Sequence, residues 1–398
     1  MTDLISVASD PVGRARVAFL TNFVAPYRIP VFRELQSRLS AFQVFISTRM
    51  ERGRLWEPEW GGLAVTVQRT LTFMRSYVHP HGFAHRTALH VPYDTLWHLR
   101  HMSPDVIIAG ELGVRTLQAV VYKRWLAPRT KLVVWATLSE ITEAARGRIR
   151  RLVRGFLLPR ANAVLVNGAS GRRYVRSFGI PEARIFTAPQ TTELAPFEAI
   201  PAQRPPASHR RLLYCGQLIE LKGLHPFVAA LREWAARHAD RVVELWLVGD
   251  GPLRRDLEGV PRPPNLLFRF IGHVPYRDLA TWYEQAGILV FPTLADEWGL
   301  VVNEALAAGV PVLGSLYSQA VEELVRDTEN GWTFRPDQAG EMSSALDRAL
   351  TLPEAELEAM RIRARRSVEH LTPAFVASRI LDAVRFALAD HQTTEPPP

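Results

Sequence analysis

Cysteine is nearly absent from this 398-residue chain: Cys215 stands alone. A single thiol excludes an intramolecular disulfide framework and any Cys-based zinc site. Lysine is almost as scarce, with Lys123, Lys131 and Lys222 set against 45 arginines. No apolar run approaches the roughly 18 residues that a membrane-spanning helix requires. The segment 1–14 lacks the apolar core of a signal peptide. A cytoplasmic location is the expectation that follows. Against these absences stand 47% apolar and 22% charged residues, the balance of an ordinary globular protein. The length suggests two to three domains.

Charge divides the chain. Residues 1–200 carry 27 Lys and Arg against 14 Asp and Glu, while 201–398 carry 21 against 26. Halves of opposite sign suggest two domains with different partners. A basic half suits nucleic acid, anionic lipid or a phosphorylated substrate; compositional drift in an arginine-rich chain is the bland alternative. No nucleic-acid motif accompanies the charge, so nucleic acid is not an expected partner.

Short apolar runs alternate with helical periodicity. The pattern predicts strands over 16–21, 42–47, 105–109, 131–136 and 163–167, with a helix over 29–39. It then predicts strands over 211–215, 242–248, 266–271, 288–291 and 311–314, with helices over 224–236, 276–286, 300–308 and 339–350. Apolar strands alternating with helices mean parallel sheets covered on both faces, and the chain is long enough for two. The fold class is therefore α/β, with two doubly wound Rossmann-like domains. The aperiodic stretch 193–210, with Pro196, Pro201, Pro205 and Pro206, reads as the join. The expected division is a domain over 1–194, a linker over 195–210, a second domain over 211–371 and a loose polar tail over 391–398. Ligands of such domains bind outside the carboxyl ends of the strands.

Three segments of the second half carry chemistry. In the first, a strand ends at Pro292, a loop holds Asp296, Glu297 and Trp298, and Gly299 opens a helix from Leu300 that stops at Gly309. A helix N-terminus presents free N–H groups and a positive dipole end, a natural seat for a diphosphate. Asp296 and Glu304 are about 12 Å apart if helical, and closer across a loop-to-helix turn. They can contact the two ends of a sugar nucleotide. The second segment, Cys215-Gly216-Gln217-Leu218-Ile219-Glu220-Leu221-Lys222-Gly223, follows a strand and opens a helix. A compact ammonium at Lys222 suits a departing phosphate. The third, Val248-Gly249-Asp250-Gly251, is a strand-end turn, in which Asp250 is expected to cap the next helix.

In order and spacing these segments resemble the C-terminal half of the family 4 retaining glycosyltransferases, which have the GT-B fold. That family shows Gly-Arg-Leu-x-x-x-Lys-Gly, then Val-Gly-x-Gly, then Glu-x7-Glu ahead of a Gly-x-Pro-Val strand. The resemblance covers about residues 211–335, including Gly272 and Asn330-Gly331, and extends more weakly to 21–28 and 167–179. It implies two Rossmann-like domains facing a cleft, and a last helix over about 372–390 crossing back to the first domain. It implies a nucleotide-sugar donor, retention at the anomeric carbon and no metal or other cofactor. The sequence has no Asp-x-Asp motif, which agrees. Carried over by position, Asp296 contacts the donor sugar, Glu304 the ribose and Lys222 the diphosphate. Gly216, Gln217, Glu297, Trp298, Gly299 and Leu300 complete the donor contacts. Catalysis would rest on Asp296, Lys222 and Glu304.

The chain departs from that pattern in four places, the first being that no Gly-Gly pair follows the first strand. The first acid is an aspartate, with Glu297 beside it as a substitute. Gln217 replaces the usual arginine, which makes Arg28 the candidate for the missing charge. The histidine often found after the fourth strand of the N-domain is absent; Glu140 is the stand-in there, and Tyr27, Arg28 and Glu111 join it as N-domain acceptor-side candidates. The expected acceptor is a glycan or a lipid-linked sugar. The arginine bias fits a GC-rich bacterial genome, and hence cell-surface polysaccharide or glycolipid synthesis. A nucleotide-sugar epimerase on the same fold, or a non-catalytic partner protein, are the other readings.

Two further patterns stay open at this level. Arg146, Arg148, Arg150, Arg151, Arg154 and Arg160 share a helical segment with Leu152, Val153, Phe156 and Leu157. This suits either peripheral contact with an anionic membrane or a solvated basic face over a buried apolar one. Six of the 12 histidines lie between 79 and 101. His81 and His85 have metal spacing on a helix, but Pro80, Gly82 and Pro92 argue against a helix there.

Overall fold

The computed structural model describes residues 11–50, 59–78, 82–144, 146–201, 204, 208–338 and 340–389. The chain forms two compact units, one of residues 1–192 with 372–398, the other of 193–371.

The first unit begins with β1 (Arg16–Thr21), α1 (Ile29–Arg38), β2 (Ala41–Ile46) and β3 (Val65–Val67). A hairpin of β4 (Thr70–Val78) and β5 (Ala84–Pro92) interrupts the sheet. The sheet resumes through α2 (Thr95–Met102), β6 (Val106–Ala109), α3 (Val114–Val121) and β7 (Lys131–Ala136). Then come α4 (Glu140–Glu143), α5 (Arg148–Leu157), β8 (Ala163–Val166), α6 (Ala169–Arg176) and β9 (Ile185–Thr187). Seven parallel strands lie in the order β3-β2-β1-β6-β7-β8-β9. Their residues alternate between two cores. Val17, Phe19, Val106 and Ile108 face one side, and Ala18, Leu20, Ile107 and Ala109 the other. Both faces are buried, which is why these strands read as continuous apolar runs.

The second unit runs through α7 (Ala195–Glu198), β10 (Arg211–Cys215), α8 (Leu224–Arg237), β11 (Val243–Val248), α9 (Arg254–Glu258) and β12 (Leu266–Gly272). It continues with α10 (Ala280–Gln285), β13 (Ile288–Phe291), α11 (Leu300–Ala307), β14 (Val312–Ser315), α12 (Gln319–Leu324), β15 (Gly331–Phe334), α13 (Glu341–Thr351) and α14 (Glu354–Val368). Six parallel strands lie in the order β12-β11-β10-β13-β14-β15. The last helix, α15 (Pro373–Ala389), buries Val376, Ala377, Ile380, Leu381, Ala383, Val384 and Ala387 in the core of the first unit, beside α1.

The structure corrects two local readings. The stretch read as a linker is partly core: Leu194, Phe197 and Ile200 are buried among the helices of the second unit. Three apolar anchors at helical spacing outweigh the prolines around them. Asp250 caps no helix. Its carboxylate accepts from the adjacent Gly251 N–H at 2.8 Å, and α9 starts at Arg254 with no side-chain cap. Residues 79–81 and 391–398, which include His79, His81 and the expected tail, lie outside the described residues.

Candidate active site

Each sheet reverses its strand order once, between β1 and β6 in the first unit and between β10 and β13 in the second. At such a switch point the two flanking loops diverge, leaving room at the carboxyl ends of the strands. Lys222 follows β10 and Asp296 follows β13. Tyr27 and Arg28 follow β1, and Glu111 follows β6. Both groups of candidates thus leave strands that border a switch point.

In the second unit the two loops are stitched together. The carbonyl of Leu221 accepts from Leu294 N–H at 2.9 Å and from the Thr293 hydroxyl at 3.2 Å. That seam fixes Lys222 and Asp296 in register, and Lys222 Nζ reaches Asp296 Oδ2 at 2.5 Å. The side chains are 20% and 18% exposed, so the pair is sheltered but open to one side. The other Asp296 oxygen accepts from Trp298 N–H at 3.2 Å, and Phe291 lies 5.6 Å below the ammonium.

The loop carrying Asp296 is held from the far side by the turn before α12. Asp296 N–H donates to Tyr317 O at 3.0 Å, the Ser318 hydroxyl donates to Trp298 O, and Gln319 Nε2 donates to Glu297 O at 2.7 Å. Ser318 and Gln319 escaped the sequence reading because they act on the loop from some 20 positions further along. Gly299 ends this loop at φ 106°, a left-handed conformation that disfavours a side chain. A Cβ there would also come within 2.5 Å of the Phe291 ring. Gly299 has no side chain with which to cap α11; Val302 N–H donates to Gly299 O at 2.9 Å, which leaves the Leu300 and Val301 amides to face an anion.

Glu304, one turn into α11, is only 4% exposed. It accepts a hydrogen bond from the Tyr283 hydroxyl at 2.8 Å. Burial raises its carboxyl to a pKa of about 7, and the tyrosine bond opposes that rise. Burial likewise pushes the neighbouring Cys215 thiol up, and Cys215 serves as core. Tyr283 is a partner the sequence gave no reason to single out.

The remaining donor candidates separate. Gly216 lies in the strand-end loop, which packs against the Gly249 turn: a Cβ on Gly249 would fall 1.9 Å from Gly216 O. Gln217 and Glu297 are exposed, and Leu300 is half-buried at the head of α11. The Trp298 side chain is 2% exposed and its indole N–H donates to Asn303 at 2.8 Å, so the indole packs in the core.

In the first unit, the Arg28 guanidinium lies over Trp135 at 5.3 Å and over Tyr27 at 6.0 Å. Its Nε is buried with no hydrogen-bond partner among the described residues. Glu111 pairs with the fully buried Arg115 at 2.7 Å, and Arg115 also donates to Ser47. Glu140 pairs with Arg173 at 2.7 Å, both about half exposed. The neighbouring acid Glu143 is the deeply buried one, joined to Arg154.

Solved structures identify the class of fold as GT-B. The lipopolysaccharide outer core galactosyltransferase WaaB aligns with 93% of this chain and 99% of its own at a TM-score of 0.66 and 13% identity. Anabaena HepE, in complex with UDP-glucose, aligns over the same shares at 0.67 and 14%. More particularly, residues 209–351 match the family model described as Glycosyl transferases group 1. Among curated proteins, glycogen synthase of Mycobacterium tuberculosis is 31% identical over 44% of this chain and 41% of its own length. The putative colanic acid biosynthesis glycosyltransferase WcaL of Escherichia coli is 25% identical over 54% of each. The chain thus spans about half the length of the curated relatives it matches.

Proposed function

We propose that the protein is a metal-independent, retaining glycosyltransferase. It would move a hexosyl group from a nucleotide sugar to a glycan or lipid-linked acceptor in bacterial polysaccharide or glycolipid synthesis. The supporting observation is the Lys222–Asp296 pair at the switch point of the second sheet, beside the uncapped start of α11. The UDP-glucose bound by HepE points to the same donor class. The second unit takes the donor and the first unit the acceptor.

The diphosphate lies against Lys222 and the amides after Gly299. Lys222 then turns from Asp296 to the phosphate, which frees the carboxylate for sugar hydroxyls. Glu304 accepts from the ribose hydroxyls. The bond from the anomeric carbon to the phosphate oxygen breaks with its electron pair leaving on that oxygen. The ammonium and the helix dipole stabilise the charge that develops. The acceptor oxygen bonds to the same face of the anomeric carbon, and its proton passes to the departing phosphate oxygen. No separate base is needed.

A thermal-shift panel of nucleotide sugars and nucleoside diphosphates tests the donor site, because a ligand of the native state raises the melting temperature. One nucleotide family should stabilise the protein, and Lys222→Ala should abolish that shift. Release of nucleoside diphosphate in the presence of acceptor should fall roughly 100-fold or more in Lys222→Ala. No shift with any nucleotide sinks the donor assignment. An isomerised sugar formed without acceptor would make the protein an epimerase.

A further inference from the structure

Helix α5 turns its apolar side outward. Ile149, Leu152, Val153 and Phe156 recur at i, i+3, i+4 and i+7, and are 80%, 73%, 44% and 47% exposed. The side facing the protein holds Leu157 and Arg154, the latter locked to Glu143 and to the Tyr174 hydroxyl. At about 100° per residue the four side chains form a stripe about 100° wide, directed away from the buried edge. The bland reading of this segment, a solvated basic face over a buried apolar one, therefore holds only in part: Leu157 is buried and most of the arginines are exposed, but Arg154 is turned inward and the apolar stripe is exposed.

Positive charge surrounds the stripe. Arg148 and Arg150 border its two sides and are exposed. Arg160 lies just beyond the helix with its guanidinium 3.6 Å from the Phe156 ring. From 144 to 181 the sequence has nine arginines and no acid. The helices on the same face of the sheet add to the apolar surface. Leu117 in α3 is 44% exposed, and Trp125 and Leu126 in the turn after α3 are 72% and 47% exposed. Lys123 ties that turn to the end of α5, donating to Asn162 Oδ1 at 2.6 Å and to Arg160 O at 3.3 Å.

We propose that α5 and the Trp125–Leu126 turn dock on an anionic phospholipid surface. The apolar stripe enters the acyl boundary, and Arg148, Arg150 and Arg160 meet headgroup phosphates. Charge complementarity selects this occupant. A nucleic acid would engage the arginines and leave four large apolar side chains in water. A second copy of the chain, meeting this face about a two-fold axis, would set arginine against arginine. A leaflet of anionic lipid satisfies both halves of the surface. The docking stands independently of the donor site.

Co-sedimentation of the full chain with vesicles tests it. Binding is expected to phosphatidylglycerol mixed with phosphatidylcholine, to weaken with salt, and to be at least about tenfold weaker to phosphatidylcholine alone. Leu152→Glu with Phe156→Glu should reduce partitioning at least about tenfold, and Arg148→Gln with Arg150→Gln by a similar factor. All four positions are exposed, and unchanged thermal unfolding would show that both variants fold. Equal binding by native and variant chains would overturn the proposal, as would no binding of the native chain to anionic vesicles. A native dimer that dissociates in the Leu152→Glu/Phe156→Glu variant, with vesicle binding unaltered, would assign the stripe to self-association instead.

Discussion

The two units treat a buried carboxylate in opposite ways. In the first, the Glu143 side chain is 3% exposed and is answered by Arg154, whose side chain is 2% exposed, with the Tyr174 hydroxyl alongside. In the second, Glu304 is as deeply placed, but its partner is the Tyr283 hydroxyl. No cation lies within ion-pair reach of it among the described residues, and its pKa rises to about 7. A buried charge with its counter-ion in place is a structural element whose removal leaves the other charge stranded. A buried acid without one costs stability, which makes it a candidate for a functional group. The same contrast separates the switch points: Lys222 and Asp296 stand together with one side open, whereas Glu111 is drawn to the fully buried Arg115.

Removing the structural acid should have the larger effect. Glu143→Gln leaves the Arg154 charge buried without its counter-ion and is expected to cost about 3–5 kcal/mol, read from denaturant unfolding of the first unit. The same variant should leave nucleotide-induced stabilisation intact, because the loops proposed to hold the donor belong to the other unit. A loss below about 1 kcal/mol would place Glu143 with the weak surface pairs and dissolve the contrast.

The reciprocal substitution should have the opposite sign. The Glu304 carboxyl ionises near 7 in the fold and near 4.3 in an unfolded chain. Between those values the native state holds the extra proton, so its stability is full at low pH and declines as pH rises through 7. Glu304→Gln removes that decline. The variant should gain on the native protein by up to about 3 kcal/mol between pH 5 and pH 8, while its stabilisation by donor weakens. Melting temperatures at the two pH values measure this; a constant difference between the proteins would mean that Glu304 ionises normally in the fold.

The fold was legible in the sequence because strands buried on both faces leave continuous apolar runs, whatever the loops do. Lys222, Asp296, Gly299 and Glu304 were legible as candidates because their residue types and short spacing form a local pattern, and the structure brings Lys222 and Asp296 together. What escaped was set by contacts over longer range. The β4–β5 hairpin, with Leu71, Phe73 and Met74 all more than half exposed, has no buried face to impose alternation. The pattern of α5 shows that one side is apolar, but only the partners Glu143 and Tyr174 decide that Arg154 is the residue turned inward. Trp298 lies between two ligand candidates in sequence, yet Asn303 and the core claim its side chain. The seam from Leu221 to Thr293 and Leu294 joins loops 72 positions apart, beyond any local signal.

The smallest effect is expected at Glu140, the acid that stands in sequence where the histidine is missing. Its ion pair with Arg173 is 44% and 51% exposed, so water screens it and its loss should cost less than about 1 kcal/mol. Its backbone N–H is held by Ser170 at 3.2 Å, and the Ser139–Thr142 capping box fixes α4; neither depends on the carboxylate. Glu140→Gln should therefore unfold like the native chain and transfer sugar at a rate within about threefold of it. A loss approaching that of Lys222→Ala, with stability unchanged, would show that this exposed acid acts on substrate. The first unit would then hold its chemistry at the surface, and its buried Glu143–Arg154 pair would serve only as the support beneath it.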